Sequence, residues 1–358
     1  MPSRYDLDKD ALARLLAAEP RYRVDQVWDG IHRQLASPRE LTALPVALRD
    51  RLEGELPLAL TPAGESTSRD GATVKWLFEL DDGPGIETVL MHYPDRTTVC
   101  VSTQAGCAMA CGFCATGQAG FERQLSTGEI VEQIVRAARR ARDDGRRLAN
   151  VVFMGMGEPL ANYDRVWPAV RRAHGALGIS ARRLTLSTVG IVPGIRRLAA
   201  EELPVNLAVS LHAANDRLRD ELVPINRRHP LSTLMRACAD YVGTKGRRLS
   251  FEWALIDGTN DRDRDARELA DLSRSLPLPA HVNLIPLNPT PGYATRGTPP
   301  AGVRWFRRRL EDLGVNATVR RNRGTDIDAA CGQLAARVEL RPAGARPLAG
   351  EGVNAPAP

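Results

Sequence analysis

The sequence predicts an α/β protein built on a partial (β/α)6 TIM-type barrel, preceded by a small N-terminal helical domain. Strand-like and helical segments alternate from about residue 97 to residue 320, and such alternation is typical of a parallel sheet. Polar or reactive residues also recur just past most strand ends. In a closed or partly closed barrel these positions meet at one rim, which favours a barrel over a doubly wound sheet.

Residues 1–70 are expected to form the helical domain, and residues 71–96 a hairpin that connects it to the barrel. Apolar residues have helical spacing in LDKDALARLLAAE, VDQVWDGIHRQLA and LPVALRDRLEGEL, and prolines separate these segments. From Ala72 the apolar period changes to two, and Asp-Asp-Gly-Pro-Gly then supplies a turn before a return strand.

Residues 97–340 are expected to form the barrel. Its predicted strands are TTVCVS, NVVFMG, RLTLST, VNLAVSL, SFEWALI, HVNLIPL and NATVRR. The clearest helix begins after Ser126, where Ser126 and Glu129 can form a capping box ahead of a helical apolar repeat. Residues 341–358 are rich in Pro, Gly and Ala without a period, which predicts a disordered tail.

The composition is that of a soluble globular protein, because 43% of the 358 residues are hydrophobic and 26% are charged. These proportions exclude collagen-like and disordered chains. No run of eighteen apolar residues occurs, and the N-terminus is charged where a signal peptide needs an apolar region, so we expect a cytoplasmic protein without a membrane segment. Six cysteines, three of them between residues 107 and 114, indicate metal or redox chemistry rather than a disulfide framework.

The net charge of +6 favours polyanionic partners. Only three lysines occur, at positions 9, 75 and 245, so arginine carries nearly all the positive charge. Arginine is the better residue for bidentate phosphate contacts and for stacking on bases. A GC-rich genome produces the same arginine bias without RNA binding, so composition leaves both interpretations open.

Cys107, Cys111 and Cys114 form the pattern C-x3-C-x2-C between a predicted strand and the capped helix. A structural zinc site usually needs a second cysteine or histidine pair nearby, and Cys238 is instead isolated in an apolar helical segment. Iron-sulfur cubanes are normally held by four cysteines, so three leave one iron open to bind a ligand. The pattern therefore indicates catalysis rather than simple electron transfer.

This cysteine pattern after the first barrel strand resembles the signature of radical S-adenosylmethionine (SAM) enzymes, and FMGMGEPL resembles their GGEP-type element, although MGMGEP replaces the usual glycine pair. The chain also resembles the RlmN/Cfr family of RNA methyltransferases, and this resemblance covers nearly the whole chain. Among the segments that carry it are IETVLMHYPDRTTVCVSTQAGC and, near the end of the chain, RNRGTDIDAACGQLA. It implies a radical SAM barrel, SAM as cofactor, and one 4Fe-4S cluster held by Cys107, Cys111 and Cys114.

The resemblance also implies roles for further residues. Cys331 would carry a methyl group as S-methylcysteine, and Cys100 would resolve the intermediate, leaving a protein disulfide. Glu87 matches the family's proton acceptor. The SAM pocket would be lined by Gly157, Glu158, Ser187, Ser210, Leu211, His212 and Asn288.

The implied reaction is methylation of carbon-2 of adenine in 23S rRNA at the peptidyl transferase centre and in tRNA next to the anticodon. The implied partners are these RNAs, bound partly by the helical domain, and an electron donor such as flavodoxin or ferredoxin; the enzyme is expected to be a monomer. A Cfr-like carbon-8 methyltransferase shares every motif quoted. A metal-stabilised RNA-binding module without catalysis would need a fourth fixed ligand near the cysteines.

Overall fold

The computed structural model describes residues 2–290 and 292–335. Its helices in that part of the chain are α1 (Lys9–Leu15), α2 (Tyr22–His32), α3 (Val46–Glu55), α4 (Ala115–Ala119), α5 (Thr127–Asp143), α6 (Tyr163–Gly175), α7 (Val192–Ala200), α8 (Asp216–Leu222), α9 (Leu231–Lys245), α10 (Asp263–Arg274) and α11 (Pro300–Asp312). The predicted tail, residues 341–358, and the last five residues of the predicted barrel lie outside the described residues.

The strands are β1 (Leu60–Thr67), β2 (Thr73–Leu80), β3 (Gly85–His92), β4 (Thr97–Cys100), β5 (Gln104–Gly106), β6 (Phe121–Gln124), β7 (Leu148–Phe153), β8 (Leu184–Thr188), β9 (Asn206–Ser210), β10 (Ser250–Leu255), β11 (His281–Pro286) and β12 (Ala317–Val319). All seven strands predicted for the barrel are present. The connecting hairpin is also present, as β2 and β3.

The N-terminal helices α1 to α3 surround a small core of their own, separate from the core of the barrel. Apolar residues at helical spacing supply it: Leu12, Leu16, Val27, Ile31, Leu41, Leu44, Leu48, Leu52 and Leu56. The module docks on the barrel through polar contacts to α5, where the Gly128 amide donates to Asp6 over 2.6 Å and Arg142 donates to the Gln34 carbonyl over 2.7 Å.

The predicted helical domain extends too far, because residues 60–67 form strand β1. This strand pairs antiparallel with β2, with an irregularity between Pro62 and Gly64. Only its first residue is buried. An exposed edge strand has no alternation of apolar and polar residues, and a proline argues against a strand when the sequence is considered alone. Pairing with β2 therefore determines this element.

The main sheet has ten strands in the order β1-β2-β3-β4-β7-β8-β9-β10-β11-β12. Strands β1 to β4 pair antiparallel, and every pair from β4 to β12 is parallel. Within the described residues the edge strands β1 and β12 do not pair, so the barrel is open. Six strand-and-helix units from β4 to α11, followed by the short β12, confirm the predicted (β/α)6 architecture.

Helix α5 begins as predicted. The Ser126 hydroxyl accepts from the Glu129 amide over 3.1 Å, and the Glu129 carboxylate accepts from the Ser126 amide over 2.7 Å. Its apolar face, including Ile130 and Ile134, is fully buried against the sheet.

No helix in the described part of the chain is both long and apolar enough to cross a membrane.

Candidate active site

A cleft with about 1000 Å³ of open space lies at the carboxyl ends of the parallel strands. Ligand sites of barrel enzymes occur at this end, because the loops after successive strands converge there. Most predicted site residues line the cleft: Cys107, Cys111, Cys114, Gly157, Glu158, Ser187, Ser210, His212, Asn288 and Cys331. Leu211, Cys100 and Glu87 are not among the lining residues.

The three clustered cysteines lie on the loop between β5 and α4. Gly117 in α4 packs closely on this loop, since a Cβ added there would stand 2.9 Å from the Cys111 carbonyl oxygen. Burial raises the pKa of the Cys107 thiol to about 12. Burial and the charges of Cys114 and Cys107 likewise raise the pKa of the Cys111 thiol. Without iron, the thiols of Cys107 and Cys111 are therefore protonated, and iron binding would release their protons.

The residues that could hold a metal centre are the three thiols that line the cleft. Among the described residues, no three His, Cys, Asp or Glu side chains are close enough together to hold one metal ion. In a 4Fe-4S cubane each thiolate binds a different iron, so the thiols need not converge on a point. Cys107, Cys111 and Cys114 all face the same cleft and can hold three irons there.

The Gly-Glu turn after β7 requires glycine. Gly157 has φ +97°, and a Cβ at this position would stand 2.5 Å from the Gln104 Cβ. Glu158 follows it, with 2% of its surface exposed. Its carboxylate accepts from the amides of Leu160 and Val189 over 3.0 and 2.8 Å. Burial raises the pKa of Glu158 to about 7 despite these hydrogen bonds.

Side chains from β8 and β9 form one wall of the cleft. The hydroxyls of Ser187 and Ser210 lie 3.4 Å apart. His212 has φ +59°, its Nδ1 accepts from the Ala254 amide over 3.0 Å, and burial lowers its pKa to about 3. Its Nε2 is therefore the protonated nitrogen. Leu211 is fully buried behind this wall, and its amide donates to the Glu252 carbonyl over 3.0 Å.

The loop of residues 324–335, which we call the catalytic loop, brings Cys331 to the cysteine cluster. The Ala115 amide, directly after Cys114, donates to the Gly332 carbonyl over 2.8 Å. The Asn288 amide donates to the Cys331 carbonyl over 3.0 Å. Asn288 lines the cleft, and its side chain also anchors this loop.

Cys100 is buried at the end of β4, and burial raises the pKa of its thiol to about 12. The charge of Cys331 adds to this increase, and that of Arg320 opposes it, so these side chains are neighbours. All six cysteines are free thiols. The predicted disulfide is thus not present in this structure.

Glu87 lies on β3 and is 5% exposed. Lys75 on β2 forms an ion pair with it over 2.8 Å, and the Ala335 amide donates to its carboxylate over 2.9 Å. Cys100 pairs with Val89, two residues along β3, and alternate residues of a strand share one face. Glu87 therefore shares a sheet face with Cys100 and contacts the catalytic loop.

Sequence reasoning missed the floor of the cleft, where Arg320 lies 3.8 Å from Glu252 and 3.7 Å from the Met154 sulfur. The charge of Cys331 and then that of Glu252 raise the pKa of Arg320. The only signal in the sequence was an arginine near the end of the last predicted strand, NATVRR. Lys75 was also missed, although the period of two in β2 places it opposite the apolar face that contains Val74 and Trp76.

Residues 101–270 match the family model described as the radical SAM superfamily. The chain is 51% identical to a protein of Salinispora tropica named "Probable dual-specificity RNA methyltransferase RlmN", over 94% of each chain. It is 47% identical to a protein of the same name from a Roseiflexus species, over 94% of this chain and 96% of that protein.

A solved structure is also similar to this chain. The crystal structure of a radical SAM methyltransferase from Sphaerobacter thermophilus superposes with a TM-score of 0.91 at 52% sequence identity. The match covers 94% of this chain and all of that one. It includes the barrel, so the open (β/α)6 architecture described above is shared with a methyltransferase.

Proposed function

This chain belongs to the RlmN family of radical SAM RNA methyltransferases, and we propose that it methylates carbon-2 of adenine in 23S rRNA at the peptidyl transferase centre and in tRNA next to the anticodon. The observation that carries the proposal is the catalytic loop, which places Cys331 in the same cleft as Cys107, Cys111 and Cys114. Carbon-2 of adenine is electron-poor, so a methyl acceptor on the protein and a radical route fit it better than direct displacement.

Cys107, Cys111 and Cys114 would hold a 4Fe-4S cluster, which with SAM supplies a 5′-deoxyadenosyl radical. The cleft walls would orient SAM. Ser187, Ser210 and the Nε2–H of His212 offer side-chain hydrogen bonds, and the Gly157 turn offers backbone groups. Glu158 braces this wall through the Val189 amide, because its carboxylate joins the turn after β7 to the end of β8.

Cys331 is the methyl carrier in this proposal. Its thiolate would take a methyl group from SAM by displacement. Transfer of a hydrogen atom from that methyl to the 5′-deoxyadenosyl radical would leave a thiomethylene radical on Cys331, which would add to carbon-2 of the adenine. The adduct would then lose the carbon-2 proton, and its unpaired electron would pass to the cluster. Attack of the Cys100 thiolate on the Cys331 sulfur would form a Cys100–Cys331 disulfide and break the bond from that sulfur to the methylene carbon, which would take up a proton to become the methyl group of the product.

Glu87 is the candidate proton acceptor. Its position on the face that holds Cys100, and its hydrogen bond from the Ala335 amide, place it against the catalytic loop. A carboxylate in contact with this loop can act as the general base that takes up the carbon-2 proton.

The partners follow from the same chemistry. The RNA would contact the helical module and the cleft mouth, and an electron donor such as flavodoxin or ferredoxin would reduce the cluster. We place the enzyme in the cytoplasm, because a reducing compartment keeps six free thiols reduced. A monomer suffices, as one chain supplies both the cluster loop and the catalytic loop.

Product analysis tests the regiochemistry. The anaerobically reconstituted enzyme is given rRNA or tRNA with SAM and a reductant, and the digested RNA is chromatographed against 2-methyl and 8-methyl adenosine. We expect 2-methyladenosine from both RNAs. An 8-methyl product would identify a Cfr-like enzyme, and a reconstituted protein that does not cleave SAM on reduction would indicate a non-catalytic RNA-binding module.

Cysteine variants test the assigned steps. Cys331→Ala removes the methyl carrier, so it should be inactive and free of RNA. Cys100→Ala should accumulate protein joined to RNA through a thioether carbon bond, which nuclease trims and reducing agent does not release. Cys238→Ala, which changes a cysteine buried in α9, is the matched control and should turn over normally. Normal turnover of Cys100→Ala, or its isolation without RNA, would show that Cys100 is not the resolving residue.

A further inference from the structure

Arg219 on α8 is fully buried, and its guanidinium contacts the backbone of the cleft wall. It donates to the carbonyls of Leu211, Val189 and Ser210 over 3.1, 2.5 and 3.3 Å, and to the Asn226 side-chain oxygen over 2.8 Å. All four acceptors are neutral. A buried charge is costly unless its hydrogen bonds are satisfied, and here uncharged groups satisfy them.

The carbonyl acceptors are the ends of two neighbouring strands. Val189 follows β8, while Ser210 and Leu211 end β9. One planar guanidinium therefore holds the ends of both strands in register. It can do so because its five N–H donors have a fixed, forked geometry, which a lysine ammonium lacks. The Asn226 side chain, which accepts from the guanidinium, is itself held in place. Its amide nitrogen donates to the carboxylates of Asp216 and Asp220 over 2.9 and 2.7 Å.

The same guanidinium lies beside the cysteine loop. Leu222 and Val223, which follow Arg219, pack in one apolar cluster with Cys111 and Phe113. Val189, whose carbonyl oxygen accepts from Arg219, packs against the same cluster. The positive charge of Arg219 therefore lies behind the apolar cluster that contains Cys111, where charges interact more strongly than in water.

We propose that Arg219 is a positioning residue that joins the two strand ends of the SAM wall and supplies the buried positive charge that makes the cluster easier to reduce. The proposal rests on the proposed function, since it needs a cluster on Cys111. A cubane with thiolate ligands becomes more negative when it accepts an electron, and a nearby cation stabilises that form. Arg219 would therefore raise the reduction potential.

Redox titration of the reconstituted cluster, followed by electron paramagnetic resonance, tests the proposal. We expect Arg219→Met to keep its iron and to titrate at a more negative potential. At the wild-type midpoint the ratio of reduced to oxidised cluster should fall about tenfold, which is ~59 mV for one electron. Arg219→Gln should shift likewise, whereas Arg219→Lys keeps the charge and should titrate near the wild type. Arg217→Met, an exposed change on the same helix, is the matched control.

The outcomes separate this inference from the proposed function. A wild-type protein that binds no cluster, or does not cleave SAM, would contradict the function. The inference alone would be overturned if the wild type is normal and the Arg219→Met and Arg219→Gln variants still bind iron and keep the wild-type reduction potential. If both neutral variants lose iron while Arg219→Lys keeps normal iron content and a normal reduction potential, the result would support the inference that the cluster requires the positive charge. Iron loss in Arg219→Lys as well would overturn the role assigned to the charge, because the forked geometry that an ammonium lacks would then be the requirement.

Discussion

Single residues at the site are held by contacts from distant parts of the chain. Glu87 on β3 binds Lys75 on β2 and the amide of Ala335 on the catalytic loop. Lys75 also donates to the Asp328 carbonyl over 3.3 Å. One buried ion pair thus joins the hairpin to the loop that carries Cys331. Its two charges are mutually compensated, which a buried carboxylate requires.

Gly157→Ala should damage both stability and SAM binding. The substitution places a side chain at φ +97° and a Cβ 2.5 Å from Gln104. A positive φ alone costs a non-glycine residue about 1 to 3 kcal/mol. We expect urea unfolding to show a loss of about 2 kcal/mol or more, and calorimetry to show weaker SAM binding.

Gly175→Ala is the matched control for this change. Gly175 ends α6, and a Cβ there would meet no atom within 4 Å. Alanine should therefore be neutral or stabilising by up to about 1 kcal/mol. Equal stability of Gly157→Ala and the wild type would show that the turn tolerates a side chain.

His32 should make the folded protein sensitive to acid. Its Nδ1–H donates to the Trp28 carbonyl over 3.0 Å, and its buried Nε2 has no hydrogen-bond partner. Burial lowers the pKa of His32 from 6.5 to about 4. The unfolded state therefore binds more protons than the folded state between these values, so stability falls as the pH falls from 6.5 toward 4.

The size of this effect can be checked by urea unfolding at pH 7 and pH 5. The shift predicts a loss of about 2 kcal/mol from His32 over that interval. His32→Gln should lose correspondingly less stability than the wild type. His229→Gln, which changes a half-buried histidine, should retain most of the wild-type loss. If the two variants respond equally to acid, His32 is not the group responsible.

At the scale of elements, α5 connects the main parts of the molecule. Its N-terminus follows the cluster hairpin β5–β6, its buried face covers the sheet, and its outer residues contact the N-terminal module. Arg123 on β6 adds a bidentate ion pair to Glu129 in the first turn over 2.7 Å. The helix start is thus held by a capping box and by a charge.

Ser126→Ala should destabilise the protein by about 1 kcal/mol, because it removes the hydroxyl that accepts from the Glu129 amide. Chemical denaturation measures the difference. Ser180→Ala is the matched control, since Ser180 precedes a short helical turn and its side chain makes no cap hydrogen bond. A cap effect no larger than that of the control would mean that the Glu129 ion pair alone holds the helix start.

At the scale of the whole molecule, arginines are distributed over the surface and many are paired with carboxylates. Near the catalytic loop, Arg69, Arg321 and Arg323 line one surface depression. The Arg323 guanidinium lies 4.4 Å from the Tyr93 ring centroid. A cluster of arginines with an aromatic ring beside the cleft suits phosphates and bases.

RNA affinity should therefore fall steeply with salt, with a log-log slope of ~0.7 to 0.9 per phosphate contact. Arg321→Ala, which changes an exposed residue of this depression, should reduce the slope by about one contact. Arg274→Ala, whose guanidinium is paired with Asp271 over 2.6 Å, should leave the slope unchanged. Fluorescence anisotropy across a salt series measures both, and a flat response would exclude phosphate-driven binding.

The sequence alone determined the elements and the chemistry that depends on short spacing. The barrel strands, the Ser126 cap and the three clustered cysteines were all predicted, because strand and helix periods, caps and ligand spacings are local. Only the tertiary structure decided which distant residues meet. It formed β1 by pairing with β2, and it placed Arg219 and Arg320 beside the cysteines. These contacts come from the order of strands in the open sheet and the docking of the catalytic loop, which leave no periodic signal in the sequence.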